Sequence, residues 1–306
     1  MSDASEIQSL LDNEHFDWST HADSQLEFIT DYNNLNYTSG SINFDLQTIR
    51  GRTICWRDSW LSIPITIVSS QPAEEYNDEI LFGFKQSVLD LIYGVRVTST
   101  SGQTIVADYN ISIVNNLRLL VEKDRDWYDE EGPSLMFAKD ATSLSTSGLG
   151  VLPPHPTIAL NAGFLQRVEW IKQVSSSVDG GITWTAVISI PLRYIHDLFA
   201  KMSWPLTNNQ FQFSFMLNAY SNQALYPFNI DLDTEPPPPL VTIGGPAGAQ
   251  QNCRLYYKSI TLSGEVQTTM AARMAAGFTK QVYFRCTDTY LPQPSGNQRC
   301  ARHAVI

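Results

Sequence analysis

The sequence predicts an all-β protein: an antiparallel β-sandwich of jelly-roll topology with a few short helices inserted between strands. Three observations carry that expectation. Short runs of alternating apolar and polar residues recur along the chain, Gly/Ser/Asp-rich turns separate them, and regular strand–helix alternation is missing. The 306 residues, 43% hydrophobic and 11% aromatic, can supply a core of that size.

Residues 1–36 are polar and acidic, with one short helical pattern, EIQSLLDN, and read as an N-terminal arm. From residue 37 the β-domain begins. In SINFDLQTI, Ile42, Phe44 and Leu46 alternate with polar residues at the period of a half-buried strand. TICWRDSWLSIPITIVSS is a longer β-rich stretch, where Pro64, which has no N–H to donate, implies an edge or a bend. VRVTSTSGQTIVADY predicts a hairpin turning at Ser101 and Gly102.

Two helical segments are expected between the strands. Over 78–92, Ile80, Phe84, Val88 and Leu91 follow helical spacing behind Asp78 and Glu79. After Asn110, Ile111, Val114, Leu117 and Val121 form one apolar stripe, so KDRDWYDEEG (123–132) becomes a helix end and the loop after it. Further on, 168–174 and 182–190 read as strands, LRYIHDLFAKM as a short helix, and QFQFSFMLNAY as a strand burying Phe211, Phe213 and Phe215 on one face. The PPPP run and GGPAGAQQ read as loops, followed by the strand CRLYYKSITL, a helix in EVQTTMAARMAAG and a last strand in KQVYFRC. The β-domain closes near residue 290, and 291–306 is an irregular tail.

Composition excludes several functions. A net charge of -11, without a basic block, disfavours direct binding to a nucleic-acid backbone, which relies on Lys and Arg. The longest apolar run, LSIPITIV, falls far below the roughly 20 residues of a membrane-spanning helix. The N-terminus lacks the pattern of a secretory signal, which predicts maturation in a cytosol, and the four cysteines form no CxxC pair and read as buried thiols.

The five carboxylates of KDRDWYDEEG, Asp124, Asp126, Asp129, Glu130 and Glu131, fail the spacing of a calcium loop: counted from Asp124, Asp129 stands where Gly is required and Leu135 where the closing Glu should be. They read as a hydrated surface. The scattered histidines offer no HxH or HExxH, His196 reads as a packing or surface residue, and no GxSxG elbow occurs. No catalytic residue, cofactor or metal is expected, and the protein reads as a non-enzyme. Trp56, Trp60, Trp170, Trp184 and Trp204 fit either core packing or the sugar site of a carbohydrate-binding sandwich.

Taken in order, SGSINFDLQTI, SWLSIPITI, FKQSVLDLIYGVRVTSTSGQTI, NISIVNNLRLLVEKDRDW, CRLYYKSITLSGEVQ and GFTKQVYF resemble the N-terminal jelly roll of double-jelly-roll major capsid proteins, as in virophages, polinton-like viruses and adintoviruses. The resemblance covers roughly residues 37–290. It implies a structural subunit of the icosahedral shell of a DNA virus, made in the host cytosol, whose partners are itself, as a homotrimer, and other capsid proteins. Trp127 and Tyr128 then become candidate interface residues. The family carries a second jelly roll, which this chain is expected to lack. The tail LPQPSGNQRCARHAVI is therefore read as a truncated or frameshifted end, with a single-jelly-roll vertex or minor capsid protein as the alternative.

Overall fold

A computed structural model describes residues 21–38, 40–49, 52–69, 81–140, 161–174, 176–178, 181–202, 206, 211–218, 224–228, 239–245, 250–275 and 284–286. Two antiparallel sheets face each other. The first runs β1 (His21–Thr30), β12 (Arg254–Leu262), β3 (Thr53–Ser69), β8 (Gly181–Pro191) and β7 (Ser176–Val178), with β11 (Leu240–Ile243) also on β3. The second runs β2 (Ser41–Asp45), β9 (Phe211–Leu217), β5 (Ile92–Ser99) and β6 (Thr104–Tyr109). This order, in which β1 leads to β2 across the sandwich while β12 returns beside β1, is the jelly-roll arrangement the alternating runs predict.

The core forms where the two sheets' inner rows meet. Ile42 and Phe44 of β2, Val95 and Val97 of β5, and Phe213 and Phe215 of β9 are buried opposite Trp56, Leu61, Ile63 and Ile65 of β3. Trp56 meets Phe213 edge-on at 5.1 Å, a favoured aromatic geometry. Strand β3 keeps both halves of its sequence in this core by a bulge. Cys55 pairs with Lys258 but Trp60 pairs with Tyr256, so three extra residues of β3 switch its inward parity from Ile54 and Trp56 to Leu61, Ile63, Ile65 and Ile67.

Pro64 stands in the middle of the sheet, opposite Val187, rather than at an edge or bend. Its carbonyl accepts from Gly244 N, so its missing N–H faces the point where β12 ends its pairing at Ser62 and β11 begins at Ile65. The proline falls where no ladder hydrogen bond is needed.

Four expectations are corrected. Residues 21–30 of the expected arm form β1, which pairs with β12 along its whole length because Ile29 packs inward and Glu27 accepts from Tyr257 Oη at 3.0 Å. The segment 81–91 is the strand β4 (Leu81–Phe84), paired with β10 (Leu225–Phe228), followed by one 3-10 turn, Val88–Leu91, capped by Ser87. Residues 168–174 belong to a helix, Ala162–Val174, whose start Asn161 caps by accepting from Gly163 N and Phe164 N. LRYIHDLFAKM is two short helices, Leu192–Ile195 and Asp197–Lys201, because His196 Nδ1 accepts from Leu198 N and restarts the backbone. The helix EIQSLLDN, residues 280–283 of KQVYFRC and the tail 291–306 lie outside the described residues, and Phe284–Cys286 are not in a strand.

We number the helices α1 (Ile111–Glu122), α2 (Arg125–Glu130), α3 (Ala162–Val174), α4 (Leu192–Ile195), α5 (Asp197–Lys201) and α6 (Gly264–Ala275). Helix α6 covers Cys55 from the outer side through Val266. Burial pushes the thiols of Cys55 and Cys253 up to about 11 and about 12, while Cys286 is exposed and Cys300 lies outside the described residues. Helix α3 lies so close to β4 that a side chain at Gly83 would meet Val168 Cγ2 at 2.8 Å. Arg167 of this helix has no exposed surface; its guanidinium donates to the carbonyls of Phe84 (2.8 Å), Ala138 (2.6 Å) and Lys85 (2.5 Å) and to Asp140 Oδ1 (2.8 Å).

Two predictions follow from these buried polar groups. Arg167→Met keeps the bulk but strands three carbonyls, and is expected to lower unfolding free energy in urea by about 3–5 kcal/mol. Asp90, 6% exposed, accepts from Gln86 N and Ser87 N, yet burial pushes its carboxyl up from 3.8 to about 6. The native state therefore holds this proton more tightly than the unfolded chain. Its contribution is complete below pH 4 and lost as pH rises through 6. Asp90→Asn should reduce the stability difference between pH 4 and pH 7, measured by denaturation at each, on the order of 2–3 kcal/mol.

Candidate functional site

Helix α1 leaves the edge strand β6 and packs on β5, the 3-10 turn and α4. It does so with its polar side. Asn115 Nδ2 donates to Ile195 O at 2.6 Å, and Asn116 Nδ2 donates to Asp90 Oδ1 at 2.8 Å while Asn116 Oδ1 accepts from Ser87 Oγ at 2.6 Å. Ser112, Asn115 and Asn116 are buried with Ile111 and Leu119. The opposite side carries Ile113, Leu117 and Val121, one per turn, which are 58%, 51% and 83% exposed. Of the apolar stripe read from the sequence, Ile111 is buried and Val114 half-buried, while Leu117 and Val121 face outward together with Ile113.

A second apolar group lies on the other flank. Leu26 and Phe28 of β1 are 60% and 46% exposed, and Tyr32 and Leu35, in the link to β2, are also exposed. Strands β1 and β2 form one side of the sandwich, joined by this short link, while β6, from which α1 departs, is the far edge of the second sheet. The two patches thus stand on different flanks, a spacing that periodicity cannot reveal because it carries no information on which flank a segment occupies.

The sequence-predicted site, KDRDWYDEEG, is a structured corner. Asp124 caps α2 by accepting from Trp127 N at 3.0 Å. Trp127 is only 8% exposed and its ring touches Tyr128, Phe137 and Tyr194. Its indole N–H donates to Tyr194 Oη and Glu131 Oε2, and Tyr194 in turn donates to Glu131. That phenol hydrogen bond, with Trp127 and Arg193, holds the Glu131 carboxyl below its usual range. Tyr128 is half-buried, stacked on Phe137, and donates to the carbonyls of Leu119 and Leu120 at the end of α1. Trp127 is therefore directed inward, where it locks α2 against α4, and an interface at this corner would be made by its neighbours.

Asp126, Asp129 and Glu130 are exposed. Among the described residues no group of three His, Cys, Asp or Glu side chains is placed to hold a metal. His196 is buried, its Nε2 2.9 Å from Asp108 Oδ2. Since Nδ1 accepts from Leu198 N, the ring is the Nε2–H tautomer donating to Asp108. Of the tryptophans, Trp56 and Trp184 are core, and Trp60 lies face to face with Tyr256 at 5.3 Å, so its ring is covered on that side.

No protein-family model and no curated protein matches the chain. Among solved structures it is similar to a chain of the Sputnik virophage, determined by cryo-EM, with a TM-score of 0.53 and 13% identity over 80% of this chain and 49% of that one. The Faustovirus major capsid protein (TM-score 0.45, 11% identity, 87% and 58% covered) and the mavirus major capsid protein (0.44, 12%, 81% and 48%) are also similar. The chain spans about half the length of these structures. Its two sheets, their antiparallel order and the short helices between strands make it, in fold, a jelly roll similar to the matched part of the Sputnik virophage chain.

Proposed function

We propose that this chain is a capsid subunit that builds the icosahedral shell of a DNA virus by packing side by side with copies of itself, as homotrimers, and with other capsid proteins. It acts through interfaces, without catalysis and without contacting nucleic acid, and is made in the host cytosol. The jelly roll, proposed to run to about residue 290 and to include β1, is the packing unit; residues 1–20 are the remaining arm and 291–306 the tail.

The observation that carries this reading is the outward stripe of α1. Three aliphatic side chains on consecutive turns are a large apolar surface to leave in water, and burying each contributes about 1.5–3 kcal/mol. The second patch, on β1 and the β1–β2 link, gives the stripe a complement on a different flank. Joining unlike patches makes a head-to-tail contact, which closes into a ring when the rotation fits. A ring of upright sandwiches is what a capsomer requires.

The wild-type chain is expected to form trimers, or larger rings, in light scattering across a concentration series, with matching particles in electron micrographs. The double substitution Leu117→Glu, Val121→Glu is expected to weaken assembly by at least about a hundredfold in dissociation constant while leaving the melting temperature of the dilute chain within a few degrees. Pentamers would instead indicate a vertex protein. A concentration-independent wild-type monomer would sink the capsid reading.

A further inference from the structure

A cleft of about 370 Å³ opens between the bulge of β3, the C-terminal half of α1 and helices α4 and α5. Four cations line it, Arg57, Arg118, Lys123 and Arg193, against two carboxylates, Glu122 and Glu131. This concentration of positive charge stands in a chain whose net charge is -11.

The carboxylates are already engaged. Glu131 is held by Arg193 (3.3 Å), Tyr194 and Trp127, and Glu122 lies 3.5 Å from Arg118 Nε and 3.6 Å from Arg285 Nη1. Arg118 also pairs with Asp197 at 3.3 Å, yet its Nε is buried without a hydrogen bond. Two cations remain. Among the described residues the Arg57 side chain has no hydrogen-bond or carboxylate partner, and Lys123 has only the faces of Trp127 and Tyr194, 5.4 and 5.3 Å from its ammonium. The carbonyls of Leu119 and Leu120, which end α1 beside Lys123, accept from Tyr128 Oη and so are not left to neutralise it.

We propose that this cleft is a binding site for a small phosphate-bearing anion, held by Arg57 and Lys123 and flanked by Arg118. Guanidinium groups present planar pairs of donors that match phosphate oxygens, and an ammonium adds a point charge. The walls come from four separate elements, so a bound anion ties the β3 bulge to α1 and α4 and stabilises the corner on which α2 is built. The inference does not depend on the capsid reading, and a monomeric chain would bind equally well.

The test is thermal unfolding of the full chain with inorganic phosphate or pyrophosphate, ionic strength held constant with sodium chloride. At ten times the dissociation constant, pyrophosphate is expected to raise the melting temperature by about 3 °C. Arg57→Gln combined with Lys123→Gln should abolish that rise; Arg57 is exposed and Lys123 half-buried on two ring faces, so the anion-free melting temperature is expected to fall by only a few degrees. Arg96→Gln, a control at an exposed site on β5, should keep it. No rise with either anion overturns the proposal, as does an equal rise in the double variant. A short oligonucleotide without terminal phosphate separates the two sources of the chemistry: no rise supports a small anion, and a rise matching pyrophosphate overturns it in favour of a phosphodiester backbone.

Discussion

Asn116 is fully buried between Ser87 and Asp90, and its amide fixes how α1 lies on the sandwich. Asp90 simultaneously caps its own 3-10 turn, and its backbone carbonyl accepts from Asn218 Nδ2 at the end of β9. Two side-chain amides with the carboxyl and backbone carbonyl of Asp90 thus join the β4–β5 connection, β9 and α1. Rotating α1 to bury Leu117 and Val121 would gain about 1.5–3 kcal/mol for each. It would also strand Asn115, Asn116, Asp90 and the Ile195 carbonyl, at about 1–3 kcal/mol per group and more for a charge. The polar network wins, and the aliphatic stripe is left facing outward as a consequence.

The same logic extends to the residues just before that turn, on its α3 side. Arg167 gathers three backbone carbonyls and Asp140 from segments with no ladder between them, so α3 and the loop before it are tied to β4 through one side chain. A buried arginine is weak as a source of net stability, because its desolvation offsets much of its pairing. Its effect is to fix one arrangement of segments that aliphatic packing alone would leave ambiguous. The β4–β5 connection is therefore positioned by polar contacts from both α1 and α3, and the apolar core by side-chain interdigitation.

The period of two made β2, β9 and the hairpin of β5 and β6 legible, because their inward residues are apolar and their outward ones polar. Strand β1 reverses that rule: Leu26 and Phe28 point out while Glu27 is turned toward Tyr257 and Arg52, so the alternation carried the wrong sign and the segment read as an arm. In 81–91, Phe84, Val88 and Leu91 are buried by two different elements, and their spacing imitates one helix. In 168–174, Val168 and Ile171 are the buried pair, three apart, which helical spacing explains and alternation does not. The existence of α1 was legible; its rotation was not, because the partners of Asn115 and Asn116 lie 80 and 26 residues away.

The charge of the chain and its apolar patches act at different ranges. With a net charge of -11, two copies repel over a Debye length of about 10 Å at 0.1 M salt, whereas stripe and patch attract only on contact. On the proposed capsid reading, such a chain stays dispersed while dilute and associates once concentration or screening lets surfaces touch. The next helix in the chain, α2, exposes three further carboxylates, Asp126, Asp129 and Glu130. On the proposed capsid reading, association is favoured where the stripe meets its complement directly, since a misaligned contact brings two copies of net negative charge together without the apolar gain.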